Sequence, residues 1–216
     1  MTRAASVTRN TNETQIALAL DLDGGAYANR TGVGFFDHML DHIAKHGRLG
    51  LTVTCTGDTH VDDHHTVEDV GLALGDAIQQ AVGDKRGIER YGFASVPMDD
   101  ALAQVTLDLS GRPALVYHAH FTNASGSPLD PTEVDEGKAT IPGLSMSASG
   151  GAFDLQLVRE FFNAVANAAA MNLHVTTPHG HNNHHLCEAM FKAFGRALRQ
   201  AVAITHDEIP STKGTL

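Results

Sequence analysis

The stretch at residues 64–82 reads HHTVEDVGLALGDAIQQAV, and the stretch at residues 184–202 reads HHLCEAMFKAFGRALRQAV. Nine of the 19 aligned pairs are identical, whereas unrelated segments would share roughly one or two. Apolar residues recur at helical spacing in both copies, which predicts two equivalent amphipathic helices, the second continuing to about residue 204. The chain therefore consists of two related halves.

The repeat continues upstream of these helices. An offset of 122 residues superposes the apolar residues at 39–43 on those at 161–165, and the alternating stretch at 49–55 on the one near 172–177. Alternation and turn residues predict the elements of each half. For the first half these are strand 15–21, helix 36–47, strand 49–55 and helix 64–82; for the second, strands 92–98, 101–109 and 113–121, helix 154–170 (capped by Asp154), strand 172–177 and helix 184–204.

The two halves are predicted to span residues 1–91 and 92–216 and to form one functional domain together. Residues 122–151 are rich in Gly, Ser, Thr and Pro, which predicts a long inserted surface loop. Its acidic residues are interpreted as a solvated acidic face; they are Asp130, Glu133, Asp135 and Glu136.

Composition excludes several classes of partner. Among 216 residues, 25 are acidic and 15 basic, so the formal net charge is −10. This balance argues against a nucleic acid or an anionic membrane as the main partner, because both require a basic face. Two cysteines cannot form a disulfide framework, and no apolar run approaches the ~20 residues that cross a bilayer. We predict a soluble, cytoplasmic protein.

The 14 histidines carry the strongest chemical pattern. Each repeat copy opens with two histidines and a glutamate, at residues 64–68 (HHTVE) and 184–188 (HHLCE). On a helix, residues three or four apart share a face, so each glutamate can act together with the histidines before it. Adjacent histidines point about 100° apart and therefore suit two different ions better than one. The pattern predicts two metal ions, each bound by residues from both halves.

Imidazole and carboxylate ligands suit Mn, Fe or Zn better than Ca or Mg. The need for open coordination positions favours manganese. A helix N-terminus repels cations, and Glu68, Glu188 and Asp69 can offset that repulsion.

A second row of histidines lies on the first predicted helix. His38, His42 and His46 are four residues apart and share a face. His38 is a candidate for a further ligand, because the offset of 122 pairs it with Glu160, which is also a possible ligand.

Five motifs occur in a recognisable order, at residues 35–42 (FFDHMLDH), 62–69 (DDHHTVED), 110–113 (SGRP), 184–188 (HHLCE) and 210–214 (PSTKG). On these motifs the chain resembles the imidazoleglycerol-phosphate dehydratases of histidine biosynthesis over nearly its whole length. The resemblance implies an α+β fold in which a β(3)-α-β-α unit occurs twice, with two mixed sheets packed against helices. It also implies two Mn²⁺ ions per active site and a homo-oligomer of 24 subunits with sites at the interfaces.

The resemblance also assigns residues. One metal would be bound by His38, His65, Glu68 and His185, and the other by His64, His184, Glu188 and Glu160. Relatives usually carry histidine at the position of Glu160. The small-molecule phosphate substrate would be bound by Glu13, His42, His46, Arg90, Arg112, Lys192, Ser211, Thr212 and Lys213. The catalytic residues would be Glu13, His65, Glu68 and Glu188.

The implied reaction is the loss of water from D-erythro-imidazole-glycerol phosphate to give imidazole-acetol phosphate, which is the chemistry of a hydro-lyase. No carbonyl acidifies the proton that is removed, so the imidazole ring must accept the electrons. Two metals on its nitrogens would stabilise an imidazolate and a diazafulvene-like intermediate.

Two other functions are compatible with the same cluster. A metal-storage shell would bind metal without needing Arg90, Arg112 and Lys213. A metal-dependent hydrolase would release inorganic phosphate.

Overall fold

This computed structural model describes residues 3–122, 129, 140–145 and 152–215, with the backbone alone for 140–145. The predicted acidic face (Asp130, Glu133, Asp135 and Glu136) lies outside the described residues. None of the helices in the described ranges is long and apolar enough to cross a membrane.

The first half forms a four-stranded sheet and two helices. Its elements are β1 (Ala4–Asn10), β2 (Thr14–Asp21), β3 (Tyr27–Arg30), α1 (Gly34–Gly47), β4 (Gly50–Gly57) and α2 (His64–Val82). The strand order is β1-β2-β4-β3, and only the β3–β4 pairing is parallel. Ile16, Leu18 and Leu20 alternate with exposed residues on β2 and are buried. This alternation places one face of the sheet against the helices.

The second half repeats this plan. Its elements are β5 (Tyr91–Met98), β6 (Ala101–Asp108), β7 (Ala114–His118), β8 (Thr140–Ser145), β9 (Ala152–Asp154), α3 (Gln156–Ala168), β10 (Asn172–His179) and α4 (Asn183–Ala201). The sheet order β5-β6-β10-β7 matches the first sheet, and β8 and β9 form a separate antiparallel pair. The predicted duplicated β(3)-α-β-α unit and its two mixed sheets are thereby confirmed.

The element bounds locate the insertion. An offset of 87 residues relates β2 to β6, whereas an offset of 122 relates α1 to α3 and β4 to β10. The extra residues therefore fall between β7 and α3. In the first half, only residues 31–33 separate the corresponding strand and helix.

The helices pack in two pairs, α1 with α4 and α2 with α3. A glycine lies at each contact, at the equivalent positions Gly195 and Gly75. A Cβ on Gly195 would lie 2.6 Å from the carbonyl oxygen of Ile43, and a Cβ on Gly75 would lie 2.8 Å from the carbonyl oxygen of Val165. Because only glycine permits this close approach, α1 holds its histidine row directly against α4.

Some predicted elements were wrong. The alternation pattern did not predict strands β1 and β3, which only the resemblance implied, because β1 alternates small or polar residues with half-buried ones and β3 has only four residues. The predicted loop at 122–151 contains a strand, Thr140–Ser145. Asp154 is the last residue of β9, and the N-cap position of α3 is occupied by Leu155 instead. The Asp154 carboxylate nevertheless accepts the backbone N–H of Gln156 at 3.0 Å.

Candidate active site

A compact group of metal-binding side chains forms where α1 meets α4. His38, His184 and Glu188 each offer a ligand atom, and these atoms all lie within 4.8 Å of one another. Glu188 Oε1 lies 2.8 Å from His184 Nε2 and 3.3 Å from His38 Nε2. Donor atoms bound at about 2.1 Å to one ion lie roughly 3–4 Å apart, so this geometry fits a first-row dication. His184 and Glu188 share a face because they are one helical turn apart.

Two further groups surround the Glu188 carboxylate. Its Oε2 lies 2.5 Å from Lys192 Nζ and 3.2 Å from His42 Nε2. Burial opposes ionisation of Glu188, but the hydrogen bonds from Lys192 and His184 outweigh it and lower the pKa of this carboxyl to about 2. Burial lowers the pKa of His42 to about 4. The site thus holds an ionised Glu188 carboxylate, the protonation state in which a carboxylate binds a metal, beside a neutral His42.

Glu188 should make the metal-free protein sensitive to acid. The pKa of this carboxyl is about 2 in the folded protein, against an ordinary value of 4.5. The stabilisation that it provides is therefore complete above pH 4.5 and is lost as the pH falls towards 2. Thermal unfolding temperatures should consequently fall more steeply with acid for the wild type than for Glu188→Gln. Parallel curves for the two proteins over this interval would contradict the assignment.

The first histidine pair lies in a second cluster at the start of α2. His64 Nε2 lies 3.5 Å from Glu68 Oε2. His65 Nδ1 lies 3.0 Å from Asp58 Oδ2, and its Nε2 lies 3.7 Å from Glu13 Oε1. The hydrogen bond to Asp58 raises the pKa of His65. The predicted acid–base residue Glu13 thus approaches a predicted metal ligand from the β1–β2 turn.

The second histidine of the other pair has a similar partner. His185 Nδ1 lies 2.7 Å from Asp100 Oδ1, in the turn between β5 and β6. The hydrogen bond from His185 holds the pKa of Asp100 well below its usual range. Asp58 and Asp100 were both missed in the sequence, since neither lies within a histidine motif.

One chain does not form the ligand groups that the resemblance implies. His38 lies beside His184 and Glu188, whereas the resemblance places it with His65 and His185. Glu160 belongs to no group of three metal-binding side chains in the described part of the chain; its carboxylate lies 3.5 Å from the neighbouring Arg159. The two predicted four-ligand sets therefore stay predictions.

A separate basic pocket lies beside the C-terminal segment. It has a volume of about 600 Å³, and its lining includes five of the residues predicted to bind phosphate: Arg90, Arg112, Ser211, Thr212 and Lys213. Guanidinium, hydroxyl and ammonium donors facing one pocket are the groups that bind phosphate in proteins.

Arg90 builds this pocket as well as lining it. Its guanidinium binds both oxygens of Asp108, at 2.7 and 3.0 Å, and donates at 2.8 Å to the carbonyl oxygen of Pro210. These contacts tie the segment that carries Lys213 to β6. The predicted phosphate ligands Lys192 and His46 lie elsewhere: Lys192 pairs with Glu188, and His46 lines a second cavity together with Arg48 and Arg196.

Comparisons with known proteins find relatives along nearly the whole chain. A family model described as imidazoleglycerol-phosphate dehydratase matches residues 31–141 and 137–198. Curated proteins of that name from Ralstonia nicotianae and Dinoroseobacter shibae are each 51% identical to the chain. The first alignment covers 100% of both chains, and the second covers 99% of this chain and 100% of the relative.

Solved structures show the same likeness. The imidazoleglycerol-phosphate dehydratase of Staphylococcus aureus superposes with a TM-score of 0.74 at 34% identity, covering 94% of this chain and 99% of that chain. The enzyme of Pyrococcus furiosus in complex with (S)-C348 also has a TM-score of 0.74, at 29% identity, covering 97% of this chain and 100% of that chain.

Proposed function

The chain belongs to the imidazoleglycerol-phosphate dehydratase family, a family of hydro-lyases, and from this premise we propose the reaction in full. The substrate is D-erythro-imidazole-glycerol phosphate, the product is imidazole-acetol phosphate, and the pathway is histidine biosynthesis. The observation that carries the proposal is the group of His38, His184 and Glu188, whose ligand atoms lie within 4.8 Å of one another.

Two Mn²⁺ ions per active site are part of the proposal. The donor set of neutral imidazoles and ionised carboxylates fits manganese, and the residues that would hold the ions are His38, His64, His65, Glu68, Glu160, His184, His185 and Glu188. When bound, the ions would supply Lewis acidity that stabilises negative charge on the imidazole ring of the substrate.

The protein's own side chains would orient the substrate and move protons. Arg112, Ser211 and Lys213 would hold the phosphate, which fixes the distance between that end and the reacting carbons. Glu13, half exposed beside His65 Nε2, would take the proton from carbon and return one to the departing hydroxyl group. The balance is the loss of one proton and one hydroxide as water.

Assembly into a shell of 24 subunits, with sites between subunits, is a further part of the proposal. It rests on the family to which the chain belongs and agrees with one observation: no hydrogen bond or ion pair in the described ranges joins the Glu188 group to the His65 group or to the phosphate pocket. Another copy of the chain would then supply part of each site, so that a single substrate contacts all of these groups. Location in the cytoplasm stays a prediction.

The phosphate pocket provides the test. Because Lys213 would bind the phosphate equally in substrate and transition state, Lys213→Ala should raise KM about 10- to 100-fold and change kcat little. Lys45→Ala, which removes an exposed lysine outside the pocket, serves as the control. The assay measures imidazole-acetol phosphate formed by the manganese-loaded enzyme.

Two results would contradict the proposal. Release of inorganic phosphate would identify a metal-dependent hydrolase instead. Manganese binding without turnover, together with no effect of Lys213→Ala on substrate binding, would favour the metal-storage function.

A further inference from the structure

The second histidine of each pair is anchored from outside its own helix. His65 Nδ1 lies 3.0 Å from Asp58, and His185 Nδ1 lies 2.7 Å from Asp100. An ionised carboxylate can only accept a hydrogen bond, so the proton of each neutral imidazole resides on Nδ1. Nε2 of both rings then carries the lone pair that a metal needs. The first histidine of each pair differs in that its Nε2 atom approaches a carboxylate of its own helix. His64 approaches Glu68, and His184 approaches Glu188.

The duplication relates these contacts to one another. Asp100 immediately precedes β6 (Ala101–Asp108), just as Glu13 immediately precedes β2 (Thr14–Asp21). The carboxylate before the second strand therefore reaches the second histidine in both halves. In the first half, Glu13 lies 3.7 Å from Nε2 of His65; in the second, Asp100 hydrogen bonds to Nδ1 of His185. The carboxylate at this position therefore lies near Nε2, the proposed metal-binding atom, in the first half, and near Nδ1 in the second half.

We propose that Asp100 is a positioning residue that holds His185 in the tautomer with Nε2 unprotonated, and that Asp58 does the same for His65. The inference rests on the proposed role of these histidines as manganese ligands. Asp99 lies 3.7 Å from His185 Nε2, beyond hydrogen-bond distance, so the exposed edge of this ring faces negative charge, which suits a dication. Carboxylates that orient metal-binding histidines typically change metal affinity about 10- to 100-fold when they are removed.

The two anchors differ in a way that makes the proposal testable. Asp100 Oδ2 also accepts the backbone N–H groups of His181, at 2.6 Å, and Asn182, at 3.0 Å. Its carboxylate is therefore held in one orientation, with Oδ1 on the imidazole. Both oxygens of Asp58 lie near the same ring nitrogen, at 3.2 and 3.0 Å, and no other hydrogen bond to this side chain is found within the described residues.

Asparagine at position 100 has a single oxygen, which the two backbone donors would retain. Its amide group would then face Nδ1 of His185, and the ring proton would move to Nε2, where it blocks a metal. Asp100→Asn should therefore weaken manganese binding about 10- to 100-fold. Asp58→Asn can turn its oxygen towards Nδ1 and should weaken binding less than about threefold by the same reasoning.

The experiment titrates Mn²⁺ into the metal-stripped full-length protein and follows unbound Mn²⁺ by its electron paramagnetic resonance signal. Asp84→Asn removes one negative charge at an exposed position and should bind like the wild type. Asn182→Ala removes the side chain that accepts the N–H of His184 at 2.9 Å and His185 at 3.4 Å. It loosens the same helix start without altering the contact between Asp100 and the imidazole, so it should lose less than about threefold.

The outcomes are distinct. Loss of affinity in Asp100→Asn alone supports the proposal. Unchanged affinity in Asp100→Asn, or an equal loss in Asn182→Ala, overturns it and leaves the proposed function standing. If His185→Ala itself binds manganese like the wild type, the ligand role fails, and this part of the proposed function fails with it.

Discussion

Glu188→Gln is expected to remove dehydratase activity almost completely, to about 2% of wild type or less at manganese concentrations that half-saturate the wild type. Glu188 is the only carboxylate in the group with His38 and His184, and it is buried against Lys192. Replacing an outer partner of a metal ligand costs about 10- to 100-fold in metal affinity, so loss of a direct ligand should cost at least the upper value. Metal titration and the dehydration assay together measure the effect.

Two comparisons make this result interpretable. Asp84→Asn carries the same change in charge at an exposed position and should retain full activity. At substrate concentrations well below the wild-type KM, co-expression of Glu188→Gln with Lys213→Ala should give more activity than either variant alone, because some interfaces in mixed assemblies would combine two intact contributions. Normal manganese binding by Glu188→Gln, or no recovery on co-expression, would contradict the metal group or the shared site, respectively.

Gly195→Ala is expected to destabilise the fold and the metal group together. The added Cβ would lie 2.6 Å from the carbonyl oxygen of Ile43 and 3.0 Å from the backbone nitrogen of Gly47. These atoms are backbone and cannot rotate away, so α1 must move off α4. Overpacking of this kind costs about 1–3 kcal/mol. The movement would also separate His38 on α1 from Glu188 on α4, so manganese affinity should fall as well.

Arg196→Ala is the matched control for this change. Arg196 is the next residue on α4 and is exposed, and alanine favours the helix, so the free energy of unfolding should change by less than about 0.5 kcal/mol. Chemical denaturation of the metal-free proteins and manganese titration measure the two effects. A Gly195→Ala protein as stable as Arg196→Ala would show that the helix contact is looser than described.

The repeat was the most reliable guide to the fold. Because it aligns residues 64–82 with 184–202, it predicted the bounds of α2, and it placed α4 to within about three residues, since the predicted end at 204 lies beyond the observed end at Ala201. Strands with a strong alternating pattern, such as Thr14–Asp21, were also predicted. The edge strand Ala4–Asn10 was missed because only three of its seven residues are even partly buried. Edge strands draw much of their stability from backbone pairing, which leaves little trace in residue type.

The candidate site, like the fold, could be predicted from the sequence only in part. The residues that form it could be named from the sequence, since helical spacing places His184 and Glu188 on one face and the motif order indicates the basic residues of the C-terminal pocket. The partners of those residues could not be named. Asp58 and Asp100 reach their histidines from loops, and Lys192 turned out to lie beside Glu188 rather than in the phosphate pocket.

What the sequence determined by itself was the duplicated plan and the chemistry available to it, because repeats, helical periodicity and residue types are local properties of the chain. Only the tertiary structure decided which imidazole meets which carboxylate. That choice depends on the close approach of α1 to α4 at Gly195 and on turns that carry acidic residues to the helix starts. Distances of this kind arise from backbone packing between segments far apart in the chain, and no spacing along the sequence encodes them.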